Sequence, residues 1–312
     1  MALTALFLGS PSPAPAAVVA RWLASGHRIA AFWTAAGHED HWRHDRRLGR
    51  VAPQWSLGRR LRSAGVPRIE VPRLASWPDA VRLAREAGAD VLISAYFEHR
   101  VPPEMLALFP GRAFNFHPSL LPRYRGPTPV QAMILDQAAD AAGITLHLLA
   151  PAIDAGAIVA QTEVTFPQPR YSVSLAHAAA DLVDAIPSFL AGRIAARPQD
   201  ESRASYVRVQ PARDFVLSED LTAATIAWRC RAMPYFRAPA IRALPGRDAI
   251  GFVRELGPPT GAPPRAGWLS ADFDAADRRV RVRLRFGGWR RLDRWRHFWM
   301  LRRTPVLNGP CR

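Results

Sequence analysis

Residues 90–126, DVLISAYFEHRVPPEMLALFPGRAFNFHPSLLPRYRG, hold two apolar runs on either side of a short helical stretch. The run VLIS within 90–95 is apolar on both faces, as a strand inside a parallel sheet is. Positions 102–109 have helical spacing, and 113–116 form the next strand. Strand, helix and strand over so short a span place two parallel strands side by side. Asn115 and His117 stand two positions apart at the end of the second strand, and alternation sends both to one face. A proline-rich basic loop follows at once.

The same rhythm extends outward. Residues 3–8 are a short apolar run closed by Gly9, Ser10 and prolines, which reads as a buried first strand. A helix over 16–23 ends at Gly26, and 28–33 is a second strand. The stretch 38–50 is rich in His and Arg without clear periodicity and reads as an exposed loop. A helix over 55–64, a strand over 68–71 and a helix over 77–87 precede the opening stretch. Beyond it come a helix over 129–135 and strands over 144–149 and 158–166, which flank the loop PAIDAG. One long amphipathic helix is expected over 175–195. The fold class is therefore α/β, a doubly wound, mostly parallel, Rossmann-like sheet. Ligands in such sheets sit at the carboxyl ends of the strands. The Gly9 loop lacks the GxGxxG spacing of a dinucleotide site.

Residues 198–213 are rich in Pro, Arg and Ser and read as a linker. Ser218 is placed to cap a helix running to about 232, with Glu219 and Asp220 in its first turn. Short strand-like runs follow, clearest in RVRVRLRF at 279–286. Arg279, Arg281, Arg283 and Arg285 share one face, and Val280, Val282, Leu284 and Phe286 share the other. The expected division is a catalytic domain over 1–197, a linker over 198–213 and a small β-barrel-like (OB-like) domain with its helix over 214–312.

The chain has 312 residues, a net charge of +16 and no lysine, so all 42 of its Lys-plus-Arg positions are arginine. That excludes Schiff-base and phosphate-loop lysines. The basic balance suits an anionic partner; it equally suits a coding bias toward Arg. Cys230 and Cys311 give no disulfide framework. The N-terminus lacks the basic region of a signal peptide, and no run approaches the roughly 20 apolar residues of a membrane span. A cytoplasmic chain with no membrane partner is expected.

An amide, an imidazole and an acid at strand ends suit acyl transfer to an amine. The tetrahedral oxyanion calls for donors fixed in advance, and Asn115 and an imidazolium at 117 qualify. Asp154 is placed to hold the imidazole or to take the proton of the attacking amine. NFHPSLLPRYRG followed by the Asp of IDAGAIV resembles the folate-dependent formyltransferase family, over about residues 3–195 and most specifically over 113–160. The resemblance implies that Asn115, His117 and Asp154 are catalytic and that 10-formyltetrahydrofolate is the donor, with no metal. It also implies a folate site along His99, Arg100 and Val101, along Ala150, Pro151, Ala152 and Ile153, and at the turn Ser119, Leu120, Leu121 and Pro122. Arg123 and Arg125 either meet an anionic group of the acceptor or are solvated loop charges.

Other clusters have two readings each. In the run of His38, His41 and His44, the first two suit a shared metal or all three an exposed polar loop, the latter favoured for want of a distant ligand. His147, in an apolar strand, reads as a core or cleft-wall residue. Trp289, Trp295 and Trp299 interleave with Arg290, Arg291, Arg294 and Arg296, as nucleic-acid stacking or as an amphipathic segment turned inward. The acceptor leans to a small amine, an amino sugar or ornithine-type side chain. Initiator methionyl-tRNA is the close alternative, because DFVLSEDLTAATIAWRCRAM resembles the start of that enzyme's C-terminal domain. A non-catalytic nucleic-acid-binding protein on the same scaffold is disfavoured by the intact Asn, His and Asp.

Overall fold

The computed structural model describes residues 1–168, 171–233 and 239–284, together with Arg302. Strands β1 (Thr4–Gly9), β2 (Arg28–Ala35), β3 (Arg68–Val71), β4 (Val91–Ala95) and β5 (Ala113–His117) are parallel. β6 (Gly143–Leu148) and β7 (Ile158–Glu163) join antiparallel at one edge. The order in this seven-stranded sheet is β3-β2-β1-β4-β5-β6-β7. It reverses between β1 and β4, which opens a crevice at their carboxyl ends. There Gly9 is required to be small, since a Cβ would lie 2.8 Å from the carbonyl oxygen of Ala95.

Both faces of the sheet are covered. Along β1, Ala5 and Phe7 belong to one buried cluster, and Leu6 and Leu8 to the other. The first cluster takes in α1 (Pro13–Ala24), α3 (Leu57–Ser63), α6 (Pro129–Asp136) and α7 (Tyr171–Asp181). The second takes in α4 (Ala80–Glu86) and α5 (Pro103–Leu106). Fully buried Trp22, Trp33 and Phe7 each contribute about 1.5–3 kcal/mol or more by leaving water.

Three expectations need correction here. The stretch expected as an exposed loop is a helix, α2 (Glu39–Val51). Its buried stripe is only Trp42, Asp45 and Leu48, so charge on the other positions masks the period. Trp42 meets Phe32 edge-on, and Asp45 accepts from the Ser56 hydroxyl at 2.9 Å and from the Leu57 and Gly58 N–H groups at 2.8 and 2.9 Å. The helix expected over 175–195 begins earlier and breaks, giving α7 and then α8 (Ala185–Leu190). Pro187 is the cause, because its ring excludes the carbonyl four residues back from a continuous helix. The third is the cap of α9 (Ala223–Ala232), which is Thr222: its hydroxyl accepts from the Thr225 N–H at 3.2 Å, leaving Ser218, Glu219 and Asp220 upstream.

By length and composition, Tyr171–Leu190 also passes for a membrane span, contrary to the expectation of none. Half of that window is buried within the protein, and α7 packs on α1. It therefore reads as a core helix.

The C-terminal sheet has four strands in the order β8 (Ala249–Gly257), β11 (Arg279–Leu284), β10 (Ser270–Asp274) and β9 (Arg265–Ala266). Val280, Val282 and Leu284 are buried with Leu217, Ile226 and Phe273. On the opposite face Arg281 makes a paired contact with Asp272, both N–O distances 2.6 Å, and Arg279 meets Asp274 at 2.8 Å. Phe286, the interleaved Trp and Arg residues of 289–299 and Cys311 lie outside the described residues.

Candidate active site

The β5 strand brings Asn115 and His117 to one face, as alternation requires, and the β6–β7 connection brings Asp154 to them. Asp154 is the centre of the cluster. Its Oδ1 lies 3.4 Å from Asn115 Nδ2 and 3.6 Å from His147 Nε2, and its Oδ2 lies 3.4 Å from His117 Nδ1. The Gly126 N–H donates to Oδ2 at 2.8 Å. Asp154 has φ +53°, in the left-handed region where a non-glycine residue costs roughly 1–2 kcal/mol. Gly156 makes this turn possible, since a Cβ there would fall 1.8 Å from the carbonyl oxygen of Leu148.

The proton arrangement follows from the acceptors. Both ring nitrogens of His117 face oxygens, Nε2 toward the Tyr124 carbonyl at 2.8 Å and Nδ1 toward Asp154. The Nε2–H donates to that carbonyl, while Nδ1 stands at ion-pair distance from Asp154 without a hydrogen bond to it. His147 is the opposite case. Its Nδ1 lies 2.8 Å from the Leu148 carbonyl, so it carries the proton, and Nε2 is left to accept from Asn115 Nδ2 at 3.1 Å. Burial pushes the His147 imidazole down to about 4 against the pull of the Asp154 carboxylate, and the His117 and Arg125 charges push the same way as burial. The Asn115 amide is thereby oriented with its nitrogen toward His147 and Asp154. Its N–H toward Asp154 spans a long 3.4 Å and is the one most readily given to another oxygen.

A pH effect follows. The folded protein resists the proton that unfolded His147 accepts near 6.5, so stability is full above 6.5 and falls as pH drops toward 4. In urea unfolding, the fall in midpoint between those values is expected to be smaller in His147→Gln than in wild type. An unchanged slope would remove His147 as its source.

The segments expected to hold folate lie around this cluster. His99 and Val101 after β4, and Ala150 and Ile153 after β6, are half-buried, while Arg100, Pro151 and Ala152 are exposed. Arg100 Nη2 reaches the Pro151 carbonyl at 2.9 Å and ties the two loops. Among the described residues, no main-chain group accepts from the N–H of His99, Arg100, Val101, Ala150, Ala152 or Ile153. The walls therefore offer unused main-chain donors, which suit the polar edge of a pterin. The Ser119–Pro122 turn is placed differently. Ser119 is fully buried with its hydroxyl on the Arg123 carbonyl at 2.8 Å, and the Leu121 N–H donates to Thr145. Leu121 is buried as well, while Leu120 and Pro122 are half-buried.

Both arginines of that loop are paired, Arg123 at the surface and Arg125 in the interior. Arg123 pairs with Asp140 at 2.8 Å, and Arg125, 8% exposed, pairs with Glu201 at 2.6 Å. His38 Nδ1 meets His41 Nδ1 at 2.7 Å and its Nε2 lies 3.4 Å from Glu98. No metal-type group of three or more ligands forms among the described residues. His147 is the site residue the sequence reading left outside the chemistry. Its signal was the antiparallel register of β6 on β5, which sets residue 147 opposite Asn115.

Comparison with known proteins bears on the class. Residues 69–183, which hold Asn115, His117, His147 and Asp154, match the formyl transferase family. The fold is shared with an N-formyltransferase from Helicobacter canadensis solved with folinic acid and dTDP-3-aminofucose, at 15% identity and TM-score 0.64 over 91% of this chain and 99% of that one. It is shared too with WlaRD, a sugar 3N-formyl transferase solved with dTDP and 5-N-formyl-THF, at 15% identity and TM-score 0.61 over 91% and 97%. HypX from Aquifex aeolicus, solved with tetrahydrofolic acid, matches at 14% identity and TM-score 0.61 over 90% of this chain. The chain spans only 44% of HypX. At these identities the likeness is one of fold.

Proposed function

We propose that this chain transfers a formyl group from 10-formyltetrahydrofolate to the primary amine of a small molecule, with an amino sugar or ornithine-type amine as acceptor. The observation that carries the reading is the convergence of Asn115, His117 and Asp154 within 3.4 Å contacts beside two loops of unused main-chain donors. The family match over 69–183 supports the reaction class. The folate- and sugar-bound relatives of the same fold make the donor and acceptor reasonable choices.

The donor supplies an electrophilic formyl carbon bonded to nitrogen. The amine nitrogen forms a bond to that carbon, and the carbon–nitrogen bond to the folate breaks. The amine loses one proton and the folate nitrogen gains one, so the products are a formamide and tetrahydrofolate. Asn115 and His117 are assigned to the developing oxyanion, where fixed donors lower the barrier most. Asp154, between them, takes the amine proton and orients His117. Neutral His147 holds the Asn115 nitrogen in place. On this reading residues 1–197 form the transfer module, 198–213 its connection and 214–312 a C-terminal module.

The test offers 10-formyltetrahydrofolate with dTDP-amino sugars, with ornithine-type diamines and with charged initiator tRNA, and follows formamide product by mass spectrometry. Product from a small amine is the expected outcome. Product from tRNA alone overturns the acceptor, and product from none overturns the reaction.

A further inference from the structure

The segment that composition marks as a linker is bound along the candidate site. Ile158 and Arg197 exchange both main-chain hydrogen bonds at 2.8 Å. The Arg125 N–H donates to the Ser205 carbonyl at 2.8 Å, and the Val207 N–H returns to the Arg125 carbonyl at 2.7 Å. The Tyr124 N–H donates to the Ser205 hydroxyl at 2.8 Å. Gly126 lies so close beneath this strap that a Cβ would stand 2.3 Å from the Val207 carbonyl oxygen.

Gln199 is the contact that reaches the acid. Its Nε2 lies 2.7 Å from the carbonyl oxygens of both Asp154 and Gly156. Its Oε1 accepts from Arg125 Nε at 3.1 Å and Nη2 at 2.8 Å, and Arg125 is held in turn by Glu201. A primary amide supplies two donors and a two-electron-pair acceptor, so every hydrogen-bonding position of Gln199 is filled. The same strap addresses both ends of Asp154. Gln199 holds its main chain, and the Arg125 ladder fixes the Gly126 N–H that holds its carboxylate.

We propose that Gln199 is a positioning residue for Asp154, and that the strap 197–207 is a working part of the site. The role in turnover rests on the formyl-transfer reading; the effect on the Asp154 loop does not.

The test uses the full chain as wild type, Gln199→Ala and Gln199→Glu. In Gln199→Ala, kcat is expected to fall by about 10–100-fold while KM for both substrates stays within about 3-fold, as misplacement of a reacting group does. Amide exchange of peptides over 150–158 is expected to quicken, with that of β1 and β4 unchanged. Gln199→Glu keeps the shape but turns an acceptor toward two carbonyls, so its kcat near pH 8 should be at or below that of the alanine variant. Its activity relative to wild type should climb as pH falls and the carboxyl regains a donor. Should the alanine variant unfold, the glutamate variant carries the test. A Gln199→Ala kcat within 2-fold of wild type overturns the role in turnover. Unchanged exchange over 150–158 overturns the positioning itself. If wild type transfers formyl to no amine, the exchange result still decides whether Gln199 holds the loop.

Discussion

An Asp154→Asn variant is expected to lose about 10³-fold in kcat while keeping its fold and its affinity for folate, the scale of a lost general base. Asparagine preserves the shape, and its amide oxygen can still accept from the Gly126 N–H 2.8 Å away. Two things go with the charge. The amine proton has no base to receive it, and the His117 Nδ1 now 3.4 Å from a carboxylate oxygen faces a neutral group. Asp154→Ala should be no more active and also less stable, because it strands the donors of Gly126 and Asn115. Steady-state and single-turnover rates with whichever acceptor the panel yields are the measurement. A kcat for Asp154→Asn within 10-fold of wild type would remove the acid from the mechanism.

Gly156→Ala should cost about 3 kcal/mol or more, at the upper end of overpacking, because the added methyl strikes main chain. A Cβ at 156 meets the Leu148 carbonyl oxygen at 1.8 Å and its carbon at 2.8 Å, neither of which is the end of a flexible side chain. The main chain itself must move, and the moved part is the turn carrying Asp154. Thermal unfolding should show the midpoint falling by about 2–4 °C for each kcal/mol. Activity should fall even where the protein remains folded. A variant with unchanged midpoint and turnover would mean that the β6–β7 turn has room the geometry denies.

The sequence made the cluster of Asn115, His117 and Asp154 legible because strand alternation and residue type are local. Asn115 and His117 had to share a face, and an acid on the loop of a neighbouring strand had few other places to go. His147 was not assigned, because a histidine in an apolar run looks like core until the antiparallel pairing of β6 sets it opposite Asn115. Arg125 was left between two readings, of which the solvated charge fails, since its partners Gln199 and Glu201 lie more than seventy positions away and only the fold brings them near. The helix α2 was lost to its own charge: three inward positions are too thin a stripe to stand out among arginines and histidines. The strand pattern at 279–284 needed no such help, because Val and Leu alternate strictly with Arg there.

The cross-strand pairs of that C-terminal sheet bear on how the chain would answer to a polyanion. Attraction to a phosphate backbone comes from cations whose counterions are released on binding, and it shows as a slope against salt concentration. Of the three described arginines on the outer face of β11, Arg281 and Arg279 already have Asp272 and Asp274 as counterions within the sheet. A salt titration of RNA binding should therefore barely change slope in an Arg281→Gln variant. The stretch that looks most like a cationic rail has most of its charge neutralised from within.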